Sequence, residues 1–294
     1  MAALTGTRAQ TKDLYPGSGT VNGLYGIVAN AAETIAWCVD RSRGEIQQIT
    51  GIGSTLANTV ITTGLTLPVA IALSDDELTL YVLQEGGIMK SVVIATGVAT
   101  QIGTLAAIST TWRYMRKGPD GYLYCLCTGV RAIHRYSLAA NTGAVFLHTP
   151  QFVSGLAFNS AGTHLYLFIA SGGANANGVL CRLILAQGRW EVVAGKGGGS
   201  NVDGERFLVA DFNNTGDIAV DSTGDIVYAG AETNASGRLC TITPVSGITA
   251  GTVARVNVNG DASVRGGVQS FFWMLKTANK LLVSNGSTAF HVIT

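Results

Sequence analysis

Short apolar runs recur along the whole chain, and each is closed by a cluster of turn-forming residues. Ile218 to Gly230, which reads IAVDSTGDIVYAG, shows the unit most clearly. Ile218-Ala219-Val220 and Ile226-Val227-Tyr228 flank Asp221-Ser222-Thr223-Gly224-Asp225. β-Branched residues pack well on a pleated surface, and Gly and Asp tolerate the backbone angles of a tight turn, so the pattern predicts a β-hairpin. The same hairpin is expected around Asn30 to Glu33, Ser74 to Glu77, Lys117 to Gly121, Asn159 to Gly162 and Thr277 to Asn279. Further strands follow each hairpin, such as Glu45 to Thr50, Ile88 to Ile94, Ala132 to Leu138, Leu180 to Leu185 and Arg238 to Ile242. The apolar spacing is that of strands, with no helical periodicity.

The first strands of the first four units begin near Gly26, Val69, Trp112 and Ser154. Their spacing is roughly 42 to 45 residues, the period of a propeller blade. The later intervals are longer. The excess falls in Gly195 to Asn214 and Asn257 to Gly267, both rich in Gly, Asn and Asp, and these are read as loop insertions that a ring would present to a partner. The period and the four strands per unit predict an all-β fold, a single β-propeller of six four-stranded blades. The last unit shows three strands before Thr294, so a closed ring requires a fourth from elsewhere. A strand around Arg8 to Leu14 would complete that blade and cover its exposed edge. The chain is therefore divided into an N-terminal arm or closing strand over 1–21 and a propeller over 22–294.

Composition then narrows the function. Hydrophobic residues make up 47% and charged residues 13%, which argues against disorder. The formal net charge of +1 gives no nucleic-acid footprint, which needs clustered Lys and Arg. The small group Arg113, Arg116 and Lys117 is expected to be a solvated turn. No run approaches the roughly 18 apolar residues of a membrane helix, so no membrane insertion is expected. The N-terminus lacks the apolar core of a secretory signal, which predicts a cytoplasmic or virion location. An odd count of five cysteines then favours reduced thiols. Cys125 and Cys127, two apart on one strand, share a face. With no second Cys/His pair at metal spacing, they are read as small core residues.

Trp190 to Gly230 resembles an NHL-type propeller repeat. The features are VVAG at Val192 to Gly195, a glycine-rich loop ending in Asp203-Gly204, and the Ile218 to Gly230 hairpin. The sequence departs from that pattern at Asp217, where a glycine normally stands, and at Gly230. The resemblance implies a propeller; proteins of this kind include scaffolds, ligand sensors, lactonase-like hydrolases and lyases. The opening MAALTGTRAQTKD resembles the starts of some bacteriophage virion proteins, which implies a capsid or tail component.

Gly195 to Ser200 lacks the spacing of a phosphate-binding loop and is read as surface. His134, His148, His164 and His291 are scattered over several units and lie in no metalloprotease motif. One enzymatic site is open to consideration. The residues just before the innermost strands, Asn22, Arg113, Ser154, Asp217 and Ser270, are expected to face the central channel. A lactonase-like hydrolase would need several oxygen ligands there for a hard cation such as calcium, and Asp217 is the only acid. No cofactor is expected. The favoured reading is a non-enzymatic propeller serving as a structural or recognition subunit of a bacteriophage particle. Its partners would be other protein subunits and a host-surface glycan or protein. The alternatives are a metal-dependent lactonase-like hydrolase with a channel site, and a carbohydrate-binding propeller in which Trp112, Trp190 or Trp273 stacks on sugars.

Overall fold

The computed structural model describes residues 4, 8–14, 23–105, 111–127, 130–149, 152–170, 178–195, 204–205, 215–223, 226–231, 238–243, 252–257, 271–284 and 289–294. Strands are numbered in chain order. Strand β1 is Arg8–Asp13. The first sheet holds β2 (Leu24–Ala29), β3 (Ile35–Asp40), β4 (Glu45–Thr50) and β5 (Ala57–Thr62). The second holds β6 (Pro68–Leu73), β7 (Thr79–Gln84), β8 (Ile88–Val93) and β9 (Ala99–Thr104). The third holds β10 (Trp112–Lys117), β11 (Leu123–Cys127), β12 (Ala132–Ser137) and β13 (Thr142–His148). The fourth holds β14 (Phe152–Phe158), β15 (His164–Ala170), β16 (Gly178–Ile184) and β17 (Arg189–Ala194). The fifth sheet begins in chain order with the two-residue β18 (Gly204–Glu205). It continues with β19 (Thr215–Val220), β20 (Val227–Ala231), β21 (Arg238–Thr243) and β22 (Thr252–Asn257). The sixth contains β23 (Phe271–Leu275), β24 (Lys280–Ser284) and β25 (Ala289–Ile293). Glu85–Gly87 forms a short 3-10 turn. No helix among the described residues is long and apolar enough to cross a membrane.

Each sheet is an antiparallel blade in which consecutive strands pair, apart from β18, which joins β22, and β1, which joins β25. The innermost strands β2, β6, β10, β14, β19 and β23 touch their neighbours in turn, and β23 returns to β2. The fold is a six-bladed β-propeller. Burial falls from hub to rim because an inner strand has neighbours on both faces. All six residues of β2 are buried, while β5 and β9 are mostly exposed or half-exposed. That gradient explains why β9, with sequence ATQIGT, has no apolar signature in the sequence: a solvated rim strand needs none.

The sixth blade is closed by the N-terminus. β1 pairs antiparallel with β25, in the order β1-β25-β24-β23. The Gln10 side chain fixes β1 against the first blade. Its Nε2 donates to the carbonyls of Gly51 and Ser54, and its Oε1 accepts from the Gly53 N–H. Leu4 is buried among Tyr228, Met274 and Ile293, and its N–H donates to the Tyr228 hydroxyl.

Three local expectations are corrected. Gly195 to Asn214 is not wholly loop, because β18 adds a fifth strand at the outer edge of the fifth sheet by pairing with β22. Arg113, Arg116 and Lys117 are not a solvated turn. They lie on the innermost strand β10, and Arg116 is buried because an acid across the ring receives it. Trp112 cannot stack on a sugar, since it is packed in the core against His134. The rest of the two insertions, positions 196–203, 206–214 and 258–267, lies outside the described residues.

Candidate functional site

Five innermost strands carry a β-bulge near their start. The irregularities lie between Tyr25 and Ile27, Pro68 and Ala70, Trp112 and Tyr114, Ser154 and Ala157, and Thr215 and Ile218. A bulge inserts an extra residue and re-aims its side chain. It delivers Arg113 and Asp217 to the hub. The left-handed glycine at Gly155 allows a close approach there: a Cβ at that position would lie 2.6 Å from the Gly216 carbonyl oxygen.

Of the five channel residues expected from sequence, Arg113, Ser154 and Asp217 are described, while Asn22 and Ser270 lie outside the described residues. Arg113 stands over the Tyr25 ring, its guanidinium carbon 5.7 Å from the centroid. Arg41 lies 5.9 Å from the same ring and pairs with Glu85. Ser154 is buried. Asp217 has no exposed surface, and its carboxylate is fully engaged. Oδ2 accepts from Arg116 Nη2 at 2.5 Å, and Oδ1 accepts from the N–H groups of Ile218 at 2.9 Å and Leu156 at 3.5 Å. The ion pair runs from the third blade to the fifth, past Leu156 of the fourth. Arg116 also donates to the Met115 carbonyl and lies 5.7 Å from the Trp273 ring centroid. Removing one member of a buried pair commonly costs about 3–5 kcal/mol, because the other charge is left without compensation. Tyr114 packs in the same cluster. Burial first, then the Asp217 charge, pushes its phenol well above the ordinary range.

The room for Arg116 has a simple origin. By strand register it stands where the first two blades carry Ala29 and Ala72. Sequence reasoning selects Asp217 by its place before a strand. It misses Arg116 because the partner lies 101 residues away and on another blade.

The other mouth of the channel, where the innermost strands end, opens into a cup of about 630 Å³ lined by residues of all six blades. Ile71, Met115 and Ile218 supply apolar strand ends to it. Arg116, Lys117 and Lys276 bring positive charge, Asp75 and Glu77 negative, and Trp273 an indole. The turns that rim the cup hold one another. Glu33 accepts from the N–H groups of Thr277 and Ala278, both at 2.8 Å, joining the first blade to the sixth. Glu77 accepts from the Ala31 N–H, and Lys117 pairs with Asp75. The Ser160 hydroxyl donates to the Ser222 carbonyl at 2.7 Å. These contacts form a collar that ties turns of neighbouring blades together around the cup.

Among the described residues, no three His, Cys, Asp or Glu side chains converge to hold a metal ion. Cys38, Cys125, Cys127 and Cys181 are buried free thiols, and burial raises the pKa of Cys181 to about 12. Burial also raises the Cys38 and Cys125 thiols, and protonated thiols such as these and Cys181 are poor ligands and nucleophiles.

No protein-family model matches the sequence, and no curated protein matches it. Similar solved structures are six-bladed propellers. A calcium-binding regucalcin from Agrobacterium tumefaciens aligns with TM-score 0.66 at 16% identity, covering 100% of this chain and 97% of that one. Virginiamycin B lyase from Staphylococcus aureus aligns with TM-score 0.62 at 11% identity, covering 97% and 98%. An auxiliary nutrient binding protein from Bacteroides thetaiotaomicron aligns with TM-score 0.64 at 11% identity, covering 92% and 69%. At these identities the likeness concerns the fold alone. The same ring carries enzymes and binding proteins, and none of these three is described as a virion protein.

Proposed function

We propose that this propeller is a recognition or structural subunit of a larger assembly and not a hydrolase. The assembly is a bacteriophage particle, the context implied by the N-terminal resemblance. One observation carries the non-catalytic part. The single acid of the channel set, Asp217, is buried, neutralised by Arg116 and held by two backbone N–H groups. A hard cation needs several oxygen ligands with open lone pairs, and this carboxylate offers none without dismantling the pair. Arg8 to Asp13 are taken up in closing the sixth blade. Contact with neighbouring subunits therefore falls to the outer surfaces of the ring.

The test pairs two measurements on the full chain. Thermal melting with calcium and with a chelator should give the same Tm, because only a ligand that binds the folded state raises it. Cross-linking mass spectrometry of purified particles should recover this chain joined to other virion subunits. A calcium-dependent rise in Tm together with lactone hydrolysis would overturn the non-catalytic reading. Absence of the chain from particles would overturn the proposed context.

A further inference from the structure

Lys276 departs from a pattern that four of the other five turns share; the third blade has Gly118 at this position. Lys276 is the first residue of the turn between β23 and β24. The equivalent positions in four other blades hold Asn30, Ser74, Asn159 and Asp221, whose side-chain oxygens accept N–H groups of their own turns. Those bonds tie the side chain down locally. A lysine has three donors and no acceptor, so it cannot cap the turn this way. Residues at odds with their local role are expected at functional or strained positions.

Lys276 is half-buried and lines the cup, where it makes no hydrogen bond or ion pair with the described residues. The acids around it are committed elsewhere. Glu33 binds the Thr277 and Ala278 N–H groups, and Asp221 accepts from Ile226 N–H and the Thr223 hydroxyl. Glu77 holds Ala31, and Asp75 holds Lys117. Arg116 is bound to Asp217. Among the described residues that line the cup, Lys276 is thus the cation left to meet an incoming anion. Trp273 lies on the same blade and in the same lining, which also holds polar turn residues and apolar strand ends. Indole beside polar donors is the usual platform for a sugar ring, and the volume falls within the roughly 300–1,000 Å³ of small-molecule sites.

We propose that the cup binds a carboxylate-bearing sugar, with the Lys276 ammonium holding the carboxylate and Trp273 packing on the ring. This rests on the recognition reading and names a ligand for it. The strand-end mouth, not the strand-start mouth that the sequence pointed to, is the binding face. Burial is the main cause lowering the Lys276 pKa below the ordinary lysine value, with Asp221 and Glu33 opposing it. Binding therefore weakens on the alkaline side earlier than an exposed lysine would allow.

Isothermal titration of the full chain with glucuronate, glucose and acetate tests the site. Glucuronate should bind saturably and at least tenfold more tightly than either control. Lys276→Met should lose at least tenfold of that affinity, and Lys276→Arg should keep most of it. A glucuronate-terminated disaccharide that binds more tightly than the free acid marks a glycan end as the source, and equal binding marks the free sugar acid. Glucuronate no tighter than glucose or acetate overturns the proposal. So does unchanged glucuronate binding in a Lys276→Met protein whose melting matches the parent. If that variant fails to fold, Lys276→Gln is read in its place, and unchanged glucuronate binding there overturns the proposal. Loss of this site with no calcium effect leaves the recognition reading standing, whereas calcium-dependent turnover removes both.

Discussion

His134 lies in the middle of β12 with no exposed surface, its ring edge-on to Trp112 at a centroid distance of 4.9 Å. Neither ring nitrogen has a hydrogen-bond partner. Its strand neighbours are Cys125 and Val145. Burial first, and then His148, push its pKa below that of ordinary imidazole. The unfolded chain therefore binds the proton more readily than the folded one. The contribution to stability is complete above the ordinary value of 6.5 and is lost as pH falls through the lowered folded value. His134→Phe keeps a flat ring and removes two unsatisfied polar atoms. It should raise stability by about 1 kcal/mol and flatten the acid limb of the stability profile. Denaturant melts above and below the ordinary imidazole pKa check both; a steeper acid limb in the variant would contradict the account. In the sequence, His134 is one of four scattered histidines. What sets its state is the packing of β10 and β11 against it, which no local pattern records.

At the scale of the element, the hairpin turns share one geometry and differ in what they do with it. The described turns of the first, second, third, fourth and sixth blades each place a residue in the left-handed region before the second strand. It is Gly162 in the fourth blade, but Glu33 in the first at φ 57° and Glu77 in the second at φ 59°. A side chain in that region costs about 1–2 kcal/mol. Both glutamates reach across to the next turn of the collar, and that contact offsets the strain. Glu33→Ala should therefore destabilise the protein by about 1 kcal/mol, the bonds being exposed and worth less than buried ones. Glu33→Gly should cost less than Ala, because glycine relieves the backbone while losing the same bonds. Chemical denaturation checks both: Ala at or above Gly in stability would reject the backbone strain, and Glu33→Ala as stable as the parent would reject the clasp. The turns themselves were legible from their Asn, Asp, Ser and Gly content. The collar was not, since each clasp joins turns on different blades.

For the whole molecule, stability depends on closing the ring. Deleting residues 1–14 leaves the β25 edge unpaired and takes Leu4 and Leu14 out of the core. Two buried leucines alone are worth about 4 kcal/mol or more, which corresponds to roughly 10 °C in Tm. An open edge also pairs with other chains, so the deletion should associate in light scattering while the full chain does not gain mass by that route. A deletion that stays monomeric with an unchanged Tm would show that β1 is dispensable. The hairpin units, their period, the count of blades and the need for an N-terminal strand were all written in the sequence. Strand alternation and turn chemistry act over a few neighbouring residues, and repetition makes them readable. Tertiary structure alone decided that Asp217 meets Arg116, that Trp112 is buried, and that residues of six blades line one cup with Lys276 among them. Those relations arise between blades, and they exist only once the last sheet has been joined to the first.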